Sequence, residues 1–275
     1  MPCIREGTVC IFGAGGPMGA AIAPVLAEHY TLRLADVAGL DEVLARPRGE
    51  GPPFGWPRWS APPEPPHEWR QADITDAAQV ERTIEGCDAV INLSVNRDRP
   101  EQAFRVNAGG VFHILKAAAT LRPKRIIQTG VIVVTGYGHD GDFRGDFRIP
   151  DDIPLHPGSN LYPLTKQLGL ELATVFADRC GLDVMTFLFH RLRPHDRCDG
   201  RDDDVVIPYS TAWDDLGDAF LCGLRAPTAP RPNEVFFICG RIPTGKFAPD
   251  KAERLLSWRP RHSFERFYGL PDEGS

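Results

Sequence analysis

Val9-Cys10-Ile11-Phe12-Gly13-Ala14-Gly15-Gly16-Pro17-Met18-Gly19 is the stretch on which the reading of this chain turns. Four apolar residues run into glycines, and an alanine-rich stretch follows. That is a buried strand, a tight turn and a helix in succession. Gly13, Gly16 and Gly19 give the spacing G-x-x-G-x-x-G. Glycine permits the turn and lets backbone amides approach a pyrophosphate. The helix starting near Pro17 offers its N-terminus to that anion, and proline suits a first helical turn. A second strand over residues 31–35 ends on Asp36. A carboxylate at that distance downstream accepts hydrogen bonds from both hydroxyls of an adenosine ribose. It would repel a 2'-phosphate, so the cofactor expected is NAD rather than NADP. The plainer alternative is a glycine-rich turn in an α/β fold that binds no nucleotide. It leaves the register of strand, helix and acid unexplained.

Outward from this unit the pattern repeats. Residues 18–29, 79–85, 104–121 and 161–179 read as helices, and residues 89–93, 125–129 and 183–189 as strands. Strands alternating with helices imply right-handed βαβ crossovers and a doubly wound parallel sheet, an α/β Rossmann fold. After residue 190 the rhythm loosens into a charged loop over 191–204, a helix over 214–225, a strand over 234–239 and a short helix over 251–256. The expected organisation is an NAD-binding Rossmann domain over 1–189, then a small substrate cap over 190–275, partly interleaved with the sheet. Such a cap would cover the carboxyl edge of the sheet, where substrate pockets form.

One segment breaks the rhythm. Pro47, Pro52, Pro53, Pro57, Pro62, Pro63, Pro65 and Pro66 crowd residues 46–68, with Trp56 and Trp59 among them. No regular element is expected at that proline density. The segment reads as a surface insertion. Pro62 and Pro65 also fit the P-x-x-P pattern of a polyproline ligand, which any proline-rich loop tends to contain.

Tyr162 and Lys166 supply the chemistry. They stand four residues apart in Ser159-Asn160-Leu161-Tyr162-Pro163-Leu164-Thr165-Lys166, at the mouth of an apolar helix, so they share a helix face. An ammonium beside a phenol stabilises the phenolate. A tyrosine so tuned acts as a general acid or base. Pro163 fits the first turn and fixes the helix start.

Composition bounds the remainder. At 275 residues and 42% apolar content the chain can bury a full core. A net charge of -6 gives no general attraction to nucleic acid or to an anionic membrane. No apolar run reaches the length of a membrane span, and the first residues are too few and too polar for a signal peptide. The 7 cysteines are scattered and never form C-x-x-C. They suit reduced thiols and a cytoplasmic location, and Cys10, in a buried strand, reads as inert.

With these features in place the sequence resembles the extended short-chain dehydrogenase/reductase superfamily, in its NAD-dependent epimerase/dehydratase group. Asp73-Ile74-Thr75-Asp76 is similar to the family's adenine-side segment, and Asp88-Ala89-Val90-Ile91-Asn92-Leu93-Ser94 to its fourth strand. Asn107, in Val106-Asn107-Ala108-Gly109-Gly110, resembles the family's asparagine-bearing helix. Trp213-Asp214-Asp215-Leu216-Gly217-Asp218-Ala219 and Leu256-Ser257-Trp258-Arg259-Pro260 are similar to its later motifs. The resemblance implies that Tyr162 moves the proton of a substrate hydroxyl, while Lys166 holds the nicotinamide ribose and lowers the Tyr162 pKa. It implies cofactor contacts at Gly13, Gly16, Met18, Gly19, Asp36, Asp73, Ile74, Leu93, Asn107, Tyr162 and Lys166. It also implies a small sugar or sugar acid as substrate, and a homodimer through helices 104–121 and 161–179.

One departure stands out. The family carries Ser or Thr after the fifth strand to orient the substrate hydroxyl. Aligned on Gly136, that position here is Val131. Thr129, on the same strand face, is the expected catalytic substitute, with Thr135 as another. If neither serves, the chain is instead a non-catalytic NAD(H)-binding regulator. Within the family, Leu32-Arg33-Leu34-Ala35-Asp36 and Ser210-Thr211-Ala212-Trp213-Asp214-Asp215 look like the compact uronate dehydrogenase branch. That branch places an arginine on the substrate carboxylate. The aligned position is Val205, with Arg201 nearby as a substitute or a solvated side chain. His190, His195, Cys198, Asp199 and residues 202–204 match no metal-ligand spacing and lie among arginines, so no metal is expected. His113 reads as a packed or surface histidine.

Overall fold

β1 (Thr8–Phe12) runs through the middle of a seven-stranded parallel sheet in the order β3-β2-β1-β4-β5-β6-β9. In chain order the elements are β1, α1 (Pro17–Ala27), β2 (Thr31–Asp36), α2 (Leu40–Leu44), β3 (Glu68–Gln71), α3 (Ala77–Ile84), β4 (Ala89–Asn92) and α4 (Pro100–Ala103). A π-helical stretch (Phe104–Gly110) leads into α5 (Val111–Leu121), then β5 (Arg125–Val131), α6 (Leu161–Cys180) and β6 (Val184–Phe189). The chain closes with β7 (Leu192–Arg193), β8 (Thr211–Ala212), α7 (Trp213–Arg225), β9 (Asn233–Phe237) and α8 (Asp250–Leu256). These come from a computed structural model, which describes residues 4–46, 55–132, 149–152, 160–189, 191–196, 210–240 and 247–264.

The burial pattern explains the sheet. Every residue of β4 and β6 is buried, as strands covered on both faces require. Ile22 and Leu26 of α1 meet Leu216 and Phe220 of α7 on one face. Val80 and Ile84 of α3 join Ile114 and Leu115 of α5 and Ala173 of α6 on the other. Cys10 is buried in this second cluster, and burial pushes its thiol pKa well up, as suits an inert core thiol. Helix ends are chemically marked. Asp76 accepts the Ala78 and Gln79 amides at the start of α3, Asn160 accepts the Tyr162 amide at the start of α6, and Gly181 closes α6 at a φ of 63°.

β1 pairs with β2 on one side and with β4 on the other. Connections therefore depart in opposite directions from the β1–β4 boundary, and a crevice opens at the carboxyl ends of these strands.

Several features depart from the sequence reading. β3 and α2 were not anticipated. β3 is Glu-Trp-Arg-Gln, an edge strand without an apolar run; Arg33 pairs with Glu68 across it and Trp69 packs on the core. The helix expected over 104–121 is preceded by α4, and its own first seven residues, Phe104–Gly110, are π-helical. In the segment expected to form a cap, β9 is the seventh strand of the main sheet and α7 lies along α1. The described part of the proline-rich insertion packs Trp56 and Trp59 against the core. Among the described residues no helix is long and apolar enough to cross a membrane.

Candidate active site

The crevice holds a cavity of about 830 Å³. One end is built from backbone. Gly15 donates its amide to Asp36 Oδ2 at 2.8 Å, and Ala38 donates to Oδ1 at 3.0 Å. Each oxygen keeps a lone pair, so the carboxylate is held in one orientation and still accepts from a diol. A Cβ on Gly15 would lie 2.9 Å from that carboxylate, and one on Gly19 would lie 2.1 Å from Ala14 O. Both positions therefore require glycine, because strand and helix pack this closely. A Cβ on Gly16 would meet only Gly13 O, at 3.4 Å, so the space before the α1 N-terminus is open. Val37 and Ile74 give this end apolar walls. The Ile74 carbonyl lies 3.1 Å from His113 Nδ1, so His113 anchors the wall. A glycine turn with open room before a helix start, an oriented carboxylate and apolar flanks fit a dinucleotide.

At the other end the walls are side chains. Tyr162 and Lys166 both line the cavity from the first turns of α6. Lys166 is buried, and its Nζ donates to Ser94 O at 3.2 Å and Thr129 O at 3.4 Å. Burial first, and the nearby Arg97 charge second, lower its pKa to about 7. Arg97 lies over the Tyr162 ring, 5.7 Å from the centroid, with Nε 3.5 Å from the hydroxyl. Nothing in the loop sequence Ser94-Val95-Asn96-Arg97-Asp98 marks Arg97 as functional, because the contact is made only when β4 and α6 come together. Ser94 is the second residue the sequence reading missed. It lines the cavity, and its hydroxyl has no hydrogen bond among the described residues.

Of the expected site residues, Gly13, Gly16, Met18, Asp36, Asp73, Ile74, Leu93, Thr129, Tyr162 and Lys166 line this one cavity. Gly19 and Asn107 do not. Gly19 stands behind the turn against Ala14. Asn107 is buried and clasps the loop after β4: its Nδ2 donates to Asn96 O at 2.8 Å and Thr165 Oγ1 at 3.0 Å, and its Oδ1 accepts from Asn96 N at 3.0 Å. It positions the wall. Thr129 Oγ1 donates to Asn92 O at 2.7 Å, so its proton is committed to the sheet. Val131 also lines the cavity. Thr135, Arg201, Val205, His190, Cys198, Asp199 and residues 202–204 lie outside the described residues.

His195 belongs to a cluster the sequence reading did not assemble. Ligand atoms of His195, Asp214 and His262 lie within 4.8 Å of one another. The two rings stack at 3.9 Å; His195 Nδ1 faces Asp214 at 2.6 Å and His262 Nδ1 faces Asp215 at 2.8 Å. Arg261 lies 3.5 Å from the Asp215 carboxylate and 3.1 Å from that of Asp218. The group already satisfies itself through these hydrogen bonds and the Arg261 ion pairs.

Uronate dehydrogenase of Pseudomonas syringae pv. tomato is 29% identical over 178 residues, covering 63% of this chain and 55% of that protein. Uronate dehydrogenase of Pseudomonas putida is 33% identical over 178 residues, covering 63% of this chain and 57% of that protein. The chain thus spans little more than half the length of these curated relatives. A solved structure of a mutated uronate dehydrogenase superposes with a TM-score of 0.73 at 23% identity, covering 94% of this chain and 83% of that one, which shows a shared fold. The model of the NAD dependent epimerase/dehydratase family matches residues 9–211. Across three quarters of its length, and with its glycine turn, Asp36 and Tyr162 gathered on one cavity, the chain belongs to the NAD dependent epimerase/dehydratase family.

Proposed function

We propose that the protein oxidises a hydroxyl of a small sugar acid, with Tyr162 as the proton-moving group. The observation that carries this reading is the meeting of Tyr162, buried Lys166 and Arg97 on the cavity that also holds Asp36 and the glycine turn. NAD, the cofactor of the family, supplies the hydride acceptor when bound. The cofactor contacts are Gly13, Gly16, Met18, Asp36, Asp73, Ile74 and Leu93, with Lys166 at the nicotinamide ribose. Tyr162 takes the proton of the substrate hydroxyl, and Arg97 Nε lies 3.5 Å from its oxygen. The Thr129 oxygen keeps a lone pair toward the substrate while its proton stays on Asn92 O. Ser94, whose hydroxyl has no hydrogen bond among the described residues, offers the group that Val131 lacks. Arg97, beside the reacting hydroxyl, suits a substrate that carries a carboxylate, and the uronate dehydrogenases among the relatives support an acid over a neutral sugar.

Residues 190–275 supply the substrate side of the cavity through Arg191, Leu192, Arg193 and Trp213. Exposed Phe104, Phe112, Leu161, Leu168 and Val175, on the outer faces of the π-helical stretch, α5 and α6, support a homodimer. The second reading, an NAD(H)-binding regulator without turnover, draws on Val131 alone.

The test is NADH formation from hexuronic acids and neutral aldoses by the wild type and Tyr162→Phe. Turnover on the acids is expected, and Tyr162→Phe should lower it by a factor on the order of 10²–10⁴ with NAD binding intact. A wild type that binds NAD yet forms no NADH from any of these sugars is either a redox-neutral epimerase that recycles its cofactor or the regulator.

A further inference from the structure

Arg46 lines the dinucleotide end of the cavity, yet the reaction just proposed gives it no task. It follows α2 and opens the proline-rich insertion. Its Nη1 donates to Gly15 O at 2.7 Å. The preceding carbonyl, Ala14 O, accepts from Trp59 Nε1 at 2.7 Å, and the Trp59 ring stands edge-on to Trp69 with centroids 5.9 Å apart. Two successive carbonyls of the glycine turn are therefore tied to the insertion. Gly15 itself is held twice, its amide by Asp36 and its carbonyl by Arg46.

A guanidinium presents five N–H donors in a rigid fork. Among the described residues Arg46 makes one hydrogen bond, to Gly15 O, and meets no carboxylate. The residue is exposed, so the rest of the fork is accessible to a ligand in the cavity.

Charge says which part of the ligand suits it. Among the described residues the charged side chains lining this end are Asp36, Asp73 and Arg46, while Lys166 and Arg97 stand by Tyr162 at the other end. A dinucleotide adds a negatively charged pyrophosphate next to the ribose that Asp36 is oriented to hold. The start of α1 answers only part of that charge. A helix N-terminus ordinarily turns several free amides toward a phosphate. Here the Gly15 amide is taken by Asp36 and the Gly16 amide by Gly13 O at 3.2 Å, and Pro17, the first helical residue, has no N–H. Arg46 is pinned to the same turn in which these amides are withheld.

We propose that Arg46 is a cofactor-binding residue whose guanidinium, held in place by Gly15 O, pairs with the pyrophosphate of the bound dinucleotide. The assignment rests on the cofactor reading of this cavity. One side chain from the insertion thus supplies the positive charge that the helix start delivers through too few amides, and Trp59 secures the turn beside it.

Calorimetric titration with NAD⁺ and ADP, with adenosine read by displacement of ADP, tests it on the wild type, Arg46→Gln and Arg46→Lys. Arg46 is exposed, so both variants should fold. Glutamine retains an N–H donor for Gly15 O and carries no charge; lysine keeps the charge. Arg46→Gln should weaken NAD⁺ and ADP by about tenfold, the worth of one hydrogen bond to a charged group, and leave adenosine unchanged. Arg46→Lys should recover part of the loss. In about 1 M salt the gap between wild type and Arg46→Gln should shrink, because an exposed ion pair is screened there. Unchanged NAD⁺ and ADP affinity overturns the proposal. So does equal weakening of adenosine, which would mean that Arg46 serves the ribose or only shapes the turn. A wild type that prefers NADP⁺ to NAD⁺, with the preference lost in Arg46→Gln, would assign the guanidinium to a 2'-phosphate and overturn the pyrophosphate assignment. A wild type that binds neither NAD⁺ nor ADP would sink the cofactor reading itself, which is a separate result.

Discussion

The two ends of the cavity are built in opposite ways. At the dinucleotide end, Asp36, Ala38 and Gly15 bond to one another within 24 residues of sequence, and the glycine carbonyls are tied down by Trp59 and Arg46. At the chemical end, the working groups come from the loop after β4, the end of β5 and the start of α6. Among the described residues the Tyr162 hydroxyl receives one long contact, from Arg97. The binding end is set before a ligand arrives, because backbone geometry dictates it. The chemical end is a balance of charges, in which Lys166 and Arg97 compete for the same region and each responds to what happens to the other.

The strongest way to test that contrast is to remove Arg97. Arg97→Gln should raise KM for a sugar acid about 10- to 100-fold, the worth of a charge-assisted hydrogen bond, and leave KM for a neutral aldose and the affinity for NAD unchanged. It should also move the Lys166 pKa upward, since Arg97 helps to hold it down. A matching loss of NAD affinity would show that the two ends are one unit and that the contrast is false.

Legibility in the sequence follows the same division. Gly13, Gly16, Met18 and Asp36 could be placed because strand, turn and helix are local patterns whose spacing the chain itself fixes. Tyr162 and Lys166 could be placed because one helix carries both. Ser94 and Arg97 could not, because their proximity to Tyr162 depends on how two distant elements meet. Asn107 was assigned to the cofactor from its motif, yet it clasps the β4 loop from behind, since a motif identifies a residue without giving the direction of its side chain. β3 escaped for a different reason. An edge strand of Glu-Trp-Arg-Gln has no apolar run, and it is held by Arg33 and by the packing of Trp69. The described residues 55–67 of the proline-rich segment form no helix or strand, and Trp56 and Trp59 there make contacts that composition does not reveal.

A smaller effect concerns pH. Burial lowers the Lys166 pKa to about 7 in the folded protein, against 10.5 for the free side chain. Below pH 7 both states hold the proton and the cost of burying the charge is fully present. Between about pH 7 and 10.5 the unfolded chain binds more protons than the folded one, so the stability of the cofactor-free protein should rise with pH across that window. Thermal melts of the wild type and Lys166→Met would show it: the rise should flatten in the variant. An equal rise in both would place the charge penalty elsewhere. Mutations confined to the dinucleotide end should leave this slope alone.

The smallest change expected is also the one that bears most directly on whether the chemical end is complete. Val131 stands at the end of β5 with part of its surface on the cavity and part on the core cluster around Ile132 and Phe237. Val131→Ser introduces the hydroxyl that the family pattern calls for and removes two methyl groups. Lost packing at a partly buried site should cost about 1 kcal/mol of stability. If substrate orientation is the deficit, kcat should rise about 2- to 10-fold, the range of one added neutral hydrogen bond, with NAD affinity unchanged. If Ser94 already orients the substrate, Val131→Ser will be silent and Ser94→Ala will lose the activity. The pair of variants therefore separates an enzyme that lacks a hydroxyl from one that has moved it across the cavity from β5 to the β4 loop.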